Sequence, residues 1–255
     1  MKPLFIEQLG RGPDLTLLHG WGLNGAVWGG IRDELAAHFT LHIIDLPGHG
    51  YSQHIPITTL AAIADDIANA LPPRGHLLGW SIAGQLSIEL AHRVPDRIDK
   101  LILVGTTPRF IENDDWAFGK KAAMLDQFAV NLIENYDATI RGFLALQILN
   151  QPNQRATIAA LQAAVSARRA PNATQLTAGL ALLRTNDMRN CLAAIQHPTL
   201  VIQGDRDALT SERAAYWLAM RIPRCQYEMI PFATHAPFLS HREIFVSLLI
   251  RFLNS

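Results

Sequence analysis

In roughly the first 110 residues, short apolar runs that stop at a glycine or a turn alternate with longer stretches at helical spacing. LTLLHG (15–20), LHIIDLPGHG (41–50), GHLLGWS (75–81) and KLILVGT (100–106) each read as a buried strand. Strands separated by helical stretches imply crossover connections and a mostly parallel sheet flanked by helices. The same pattern returns near the end of the chain. PTLVIQGDRD (198–207) is followed by a helical stretch from Ser211, the strand-like CQYEMIP and an amphipathic segment from about His241 to Leu253. Between about Phe110 and Arg189 the pattern changes: no clear strand is visible, and Ala, Leu and Gln recur at helical spacing, as in IRGFLALQIL and TIAALQAAVSA. The prediction is an α/β fold with a core formed by 1–109 and 190–255 and a helical cap, 110–189, inserted between two parts of one sheet. No internal repeat or low-complexity tract points to a solenoid or linker.

At 255 residues the chain can bury a core of this size without staples. Its 22 basic and 22 acidic side chains cancel, which argues against a nucleic-acid binder or a polybasic membrane protein. The two cysteines, Cys191 and Cys225, have no CxxC or metal-type spacing and read as buried free thiols of a reducing compartment. The start, MKPLFIEQLGRG, lacks the apolar run of a secretory signal, and no stretch reaches the ~18 apolar residues of a membrane span. A soluble, cytoplasmic monomer is expected.

The chemistry concentrates at GWSIAG (79–84), where a strand should turn sharply into the helix of QLSIELAHRV. A serine in that turn takes a strained backbone conformation with its hydroxyl above the sheet, and the glycine two residues earlier makes room for the reversal. This makes Ser81 the candidate nucleophile, while the motif alone leaves open a tight strand-to-helix turn without chemistry. The common pattern is GxSxG; here Ala83 holds the last position and the glycine falls at Gly84, so a slight shift of the turn is expected.

A serine nucleophile needs a base, and the base an orienting carboxylate. Asp207 follows the strand-like TLVIQG, and His235 lies in the small-residue loop after CQYEMIP, giving the chain order serine, acid, histidine. Asp205 is the rival acid; it sits closer to the turn, which it could stabilise instead. Of the ten histidines, His241 is expected to start the last helix and His76 to pack within a strand. The oxyanion formed during acyl transfer needs N–H donors. The amide of Ile82, directly after the nucleophile, is one candidate, and the amide of Trp21 in LLHGWGLNG is the other. No metal or organic cofactor is required.

Together HGWG, DLPGHGYS, GWSIAG, GDRD and THAPFLSH resemble the α/β-hydrolase superfamily over nearly the whole chain. Within it, HGWGLNGAVW, the tryptophan beside the nucleophile, FLALQ (143–147) and HAPFLSH are similar to the family of pimeloyl-[acyl-carrier protein] methyl ester esterases of biotin synthesis. That resemblance implies Ser81, Asp207 and His235 as the catalytic triad and Trp21 and Ile82 at the acyl carbonyl. It also implies Phe143 and Gln147 on the acyl channel, with an acidic acyl-carrier protein as partner. Between Ala138 and Asn186 stand five arginines, Arg141, Arg155, Arg168, Arg169 and Arg184, and no Asp or Glu. A basic cap would steer an acidic partner, and Arg141 and Arg155, which flank FLALQ, are the expected contacts. Hydrolysis of other small esters, lactones or carbon–carbon bonds of diketones stays open, as does a member of the fold that only binds a small molecule.

Overall fold

The structure is a computed structural model and describes residues 3–148, 154–169 and 172–255. Seven strands form one sheet: β1 (Ile6–Gly10), β2 (Asp14–Leu18), β3 (Thr40–Ile44), β4 (Gly75–Trp80), β5 (Ile98–Val104), β6 (Thr199–Gly204) and β7 (Cys225–Ile230). Their order across the sheet is β1-β3-β2-β4-β5-β6-β7. All neighbours pair in parallel except β1, which runs antiparallel to β3 with Ile6 opposite Ile44. The pattern analysis found every strand but β1. Its five residues, IEQLG, are only partly covered, and their pairing partner is remote in sequence.

The central strands are buried on both faces, as parallel sheets require. Leu15 and Leu17 of β2, Leu78 and Trp80 of β4 and Ile102 and Val104 of β5 share one apolar cluster with helices α1 (Gly29–Ala36), at Ile31 and Leu35. Leu77, Leu101 and Leu103 point the other way, into a cluster with α2 (Leu60–Ala70) and α3 (Ile82–Arg93).

The predicted insertion carries four helices between β5 and β6: α4 (Ala122–Glu134), α5 (Tyr136–Leu146), α6 (Gln154–Ala167) and α7 (Ala173–Thr185). α4 packs on α5 and α7, and α5 on α6. Polar ties join this layer to the sheet domain. Asn24 donates to the Val165 carbonyl, Gln175 accepts from the Ile57 amide, and the Trp21 indole donates to the Leu176 carbonyl at 2.9 Å.

The chain then returns to β6 and α8 (Glu212–Ala219), whose first turn Ser211 caps by accepting from Ala214 N. After β7 come the short α9 (Pro237–Ser240) and α10 (Arg242–Leu253). Phe238 of α9 and Phe245 and Leu249 of α10 join the cluster on the α1 face. His241 stands as the N-cap of α10, and His76 packs within β4 beside Phe39, as expected. The thiols of Cys191 and Cys225 are free but only half-buried, a correction to full burial; desolvation still pushes their pKa values up to about 11 and about 12. Among the described residues no helix is long and apolar enough to cross a membrane.

Candidate active site

Ser81 joins β4 to α3 with φ 62° and ψ −124°, one of two non-glycine residues with positive φ among those described. Such a conformation costs on the order of 1–3 kcal/mol and persists only where the surroundings enforce it. They do so here. The Ser81 amide donates to the Val104 carbonyl at 2.9 Å, and its own carbonyl accepts from Gly84 N at 2.9 Å. A Cβ at Gly79 would overlap the Ala83 carbonyl and the Ser87 hydroxyl, and one at Gly84 would overlap Thr106. The close approach of helix to strand is therefore made at Gly84, and the methyl of Ala83 is wholly buried in the apolar cluster beneath α3. The displaced glycine leaves the strained turn in place.

The Asp207 and His235 side chains meet at the carboxyl ends of β6 and β7. His235 Nδ1 lies 2.7 Å from Asp207 Oδ2, with the two side chains 1% and 0% exposed. Asp207 accepts further bonds from the Leu209 and Thr210 amides, the Thr210 hydroxyl at 2.6 Å and the Gln203 side-chain amide at 3.0 Å. Burial alone would raise its pKa; His235 and the Thr210 donors outweigh that and hold it below the usual carboxylate value. An ionised Asp207 makes Nδ1 of His235 the protonated nitrogen and leaves Nε2 with its lone pair free to accept a proton. Asp205 is exposed in the turn and has no such contact with His235. Trp80, the residue before Ser81, donates its indole N–H to the His235 carbonyl at 2.8 Å, and the two rings lie 5.6 Å apart. The histidine loop is thereby docked on the turn that carries Ser81.

The HGWG segment reaches the serine from the other side, since a Cβ on Gly20 would lie 3.3 Å from Ser81 Cβ. His19 fixes this segment. Its Nδ1–H donates to the Gly20 carbonyl at 2.8 Å, and its Nε2 accepts from Leu46 N at 3.0 Å. Across a trans peptide the Trp21 N–H points opposite to the Gly20 carbonyl, hence away from His19; it has no backbone acceptor among the described residues. Ile82 N–H opens α3, where the first turn has no intrahelical acceptor. His49 completes the arrangement by accepting from Gly22 N at 3.1 Å while donating to the Pro47 carbonyl at 2.9 Å. Both imidazoles are fully buried, and desolvation lowers their pKa values to about 4 for His19 and about 3 for His49. Both are therefore neutral at pH 7. Pattern reading passed over their roles, although HGWG and PGHG bracket them; the signal would have been two histidines each followed by a glycine turn.

A cavity of about 290 Å³ opens beside Ser81, which is the one hydroxyl in a lining of apolar side chains. Trp21 and Phe143 form an edge-to-face pair in its wall at 5.0 Å, with Phe128 of α4 against both. Leu125, Leu146, Leu180 and Leu209 complete much of the rest. The expected Phe143 thus lines the cavity. Gln147 does not: its side chain is wholly buried and turns back onto the Phe143 carbonyl at 3.1 Å, while its own carbonyl holds Thr234 and Ala236 on either side of His235.

The five arginines also divide. Arg168 is a buried structural cation, paired with Asp45 at 2.6 Å and with Glu7, and stacked over Phe5 and Tyr51; Arg184 pairs with Asp126. Their partners lie outside the acid-free stretch, where segment composition could not show them. Arg141, Arg155 and Arg169 are exposed. Among the described residues no group of three or more His, Cys, Asp and Glu is placed to hold a metal ion.

The family model of the α/β hydrolase fold matches residues 14–242, and the chain belongs to that family. At a finer level it is similar to the pimeloyl-[acyl-carrier protein] methyl ester esterase of Nitrosospira multiformis, with 38% identity over 98% of this chain and 97% of that one. It is also similar to the protein of the same name from Nitrosomonas europaea, at 39% identity over 97% and 98% of the two chains. Among solved structures, an esterase from Exiguobacterium antarcticum superposes with a TM-score of 0.91 at 22% identity, over 99% of this chain and 96% of the other, and shares the fold.

Proposed function

We propose that this protein is a serine carboxylesterase that hydrolyses the methyl ester of a pimeloyl chain borne by an acyl-carrier protein, yielding methanol and the carrier-bound acid in biotin biosynthesis. The observation that carries the reading is the apolar cavity that has the strained Ser81 in its lining, an environment suited to an uncharged acyl chain with its ester at the serine hydroxyl. The names of the full-length relatives supply the ester and the carrier.

In this mechanism His235 takes the proton of Ser81 as the hydroxyl attacks the ester carbonyl. The amides of Trp21 and Ile82 receive the oxyanion, and His235 returns the proton to departing methanol. Water then attacks the acyl-enzyme by the same route. Asp207 keeps the imidazole in the required tautomer and stabilises its protonated form. Residues 110–189 act as the cap, with Phe143 on the acyl channel. Gln147 serves through its carbonyl instead of its amide. Exposed Arg141 and Arg155 offer charge to an acidic carrier protein, and the free thiols suit the cytoplasm.

The test is turnover of methyl pimeloyl carrier protein beside the free methyl ester and a diketone. The carrier-borne ester should react, and Arg141→Glu with Arg155→Glu should slow it at low salt while sparing a small aryl ester. Reaction of the diketone alone would overturn the assignment.

A further inference from the structure

The loop that presents His235 has no regular structure of its own, so its aim is set by what holds the flanking residues. Four bonds do this. The Ala233 carbonyl accepts from Arg206 N at 2.9 Å, and the His235 carbonyl accepts from the Trp80 indole at 2.8 Å. These two fasten the loop to the sheet domain. The other two converge on one atom, the carbonyl oxygen of Gln147 at the end of α5, which accepts from the Thr234 hydroxyl at 2.6 Å and from Ala236 N at 3.2 Å.

The Thr234 bond is not needed merely to satisfy that carbonyl, because Ala236 N–H already does so. It is short, and Thr234 is wholly buried. Its effect is to grip the backbone on the other side of His235, so that the loop is held by the inserted helix before and after the imidazole. The same helix lines the acyl cavity with Phe143 and Leu146, one to four residues before Gln147.

We propose that Thr234 is a positioning residue: its hydroxyl on the Gln147 carbonyl lets α5 fix the direction of His235, making the wall of the acyl cavity and the general base one rigid unit. This rests on the roles given above to Ser81 and His235. A general base must lie within hydrogen-bond reach of the proton it removes, so a small rotation of the loop acts on the chemical step and not on binding of the acyl chain.

The experiment compares Thr234→Val, which keeps the shape and loses the donor, with Thr234→Ser, which keeps the donor, on a small aryl ester. For Thr234→Val kcat should fall about 10-fold or more with KM within about two-fold, and Thr234→Ser should stay within about three-fold of the parent. Labelling of Ser81 by a fluorophosphonate should slow in the Val variant to the same degree. Thermal unfolding accompanies each variant, and Thr234→Ala replaces Val should the latter fail to fold. Equal kcat in the Val and Ser variants, or a loss confined to KM, would overturn the role of Thr234 alone. Parental turnover in Ser81→Ala would overturn the reading of the site, and the role of Thr234 with it.

Discussion

Mild acid should destabilise this protein through its two buried imidazoles. Burial holds His19 near pKa 4 and His49 near pKa 3, the latter also depressed by its neighbour His19, whose ring centroid is 5.3 Å away. In the unfolded chain both return to about 6.5. Between these limits the unfolded state binds the protons and the folded state does not, so stability is fully present above pH 6.5 and falls as the pH drops. Each imidazole forfeits about 1.4 kcal/mol per pH unit below 6.5, or about 2 kcal/mol at pH 5. The pair forfeits about 4 kcal/mol, a large share of the 5–15 kcal/mol of an ordinary domain. His49→Gln retains an acceptor for Gly22 N–H and removes one of the two titrations. Urea unfolding at pH 8 and pH 5 measures the difference, and the parent should lose about 2 kcal/mol more than the variant between those conditions. Equal losses would refute the reasoning, since His49 would then be accepting its proton in the folded state without penalty.

Three further outcomes follow from the packing and the charge network. Gly84→Ala forces a methyl into Thr106 beneath the serine turn; it should destabilise by about 1–3 kcal/mol and lower ester turnover, read by thermal unfolding and an aryl ester assay. Arg168→Met leaves the wholly buried Asp45 without its cation and should cost about 3–5 kcal/mol in urea unfolding, with Asp45→Asn in the same background recovering part of it. Asp207→Asn keeps the shape of the site but removes the anion that fixes His235, so kcat should drop by roughly 10⁴; thermal stability should fall as well, because the buried amide loses acceptor capacity toward Gln203, Thr210 and His235.

The parts of this molecule that follow from local rules were legible in its sequence. Buried parallel strands show as apolar runs, and the turn at Ser81 shows as glycine-flanked serine, because each depends on neighbouring residues. Asp207 and His235 could be picked from several candidates because the ends of β6 and β7 place their loops at one edge. What escaped depends on partners far along the chain. β1 is a half-covered edge strand whose only signature is pairing with β3. Arg168 looked like one of a row of surface cations, yet Asp45 and Glu7, more than a hundred residues away, draw it inside. Gln147 was expected on the acyl channel, whereas its side chain turns back onto the Phe143 carbonyl and its own carbonyl holds the histidine loop. A backbone atom leaves no trace in residue type. His19 and His49 carry a trace, the glycine after each, but their bonds to Leu46 and Gly22 exist only once two loops are brought together.

The central claim is that an acyl group passes through the oxygen of Ser81. Rapid quenching of the enzyme with an activated ester, followed by mass mapping, tests it directly: the acyl mass should appear on the peptide bearing Ser81, vanish in Ser81→Ala and accumulate far more slowly in Asp207→Asn. An adduct on another residue, or undiminished hydrolysis by Ser81→Ala with no adduct anywhere, would contradict it.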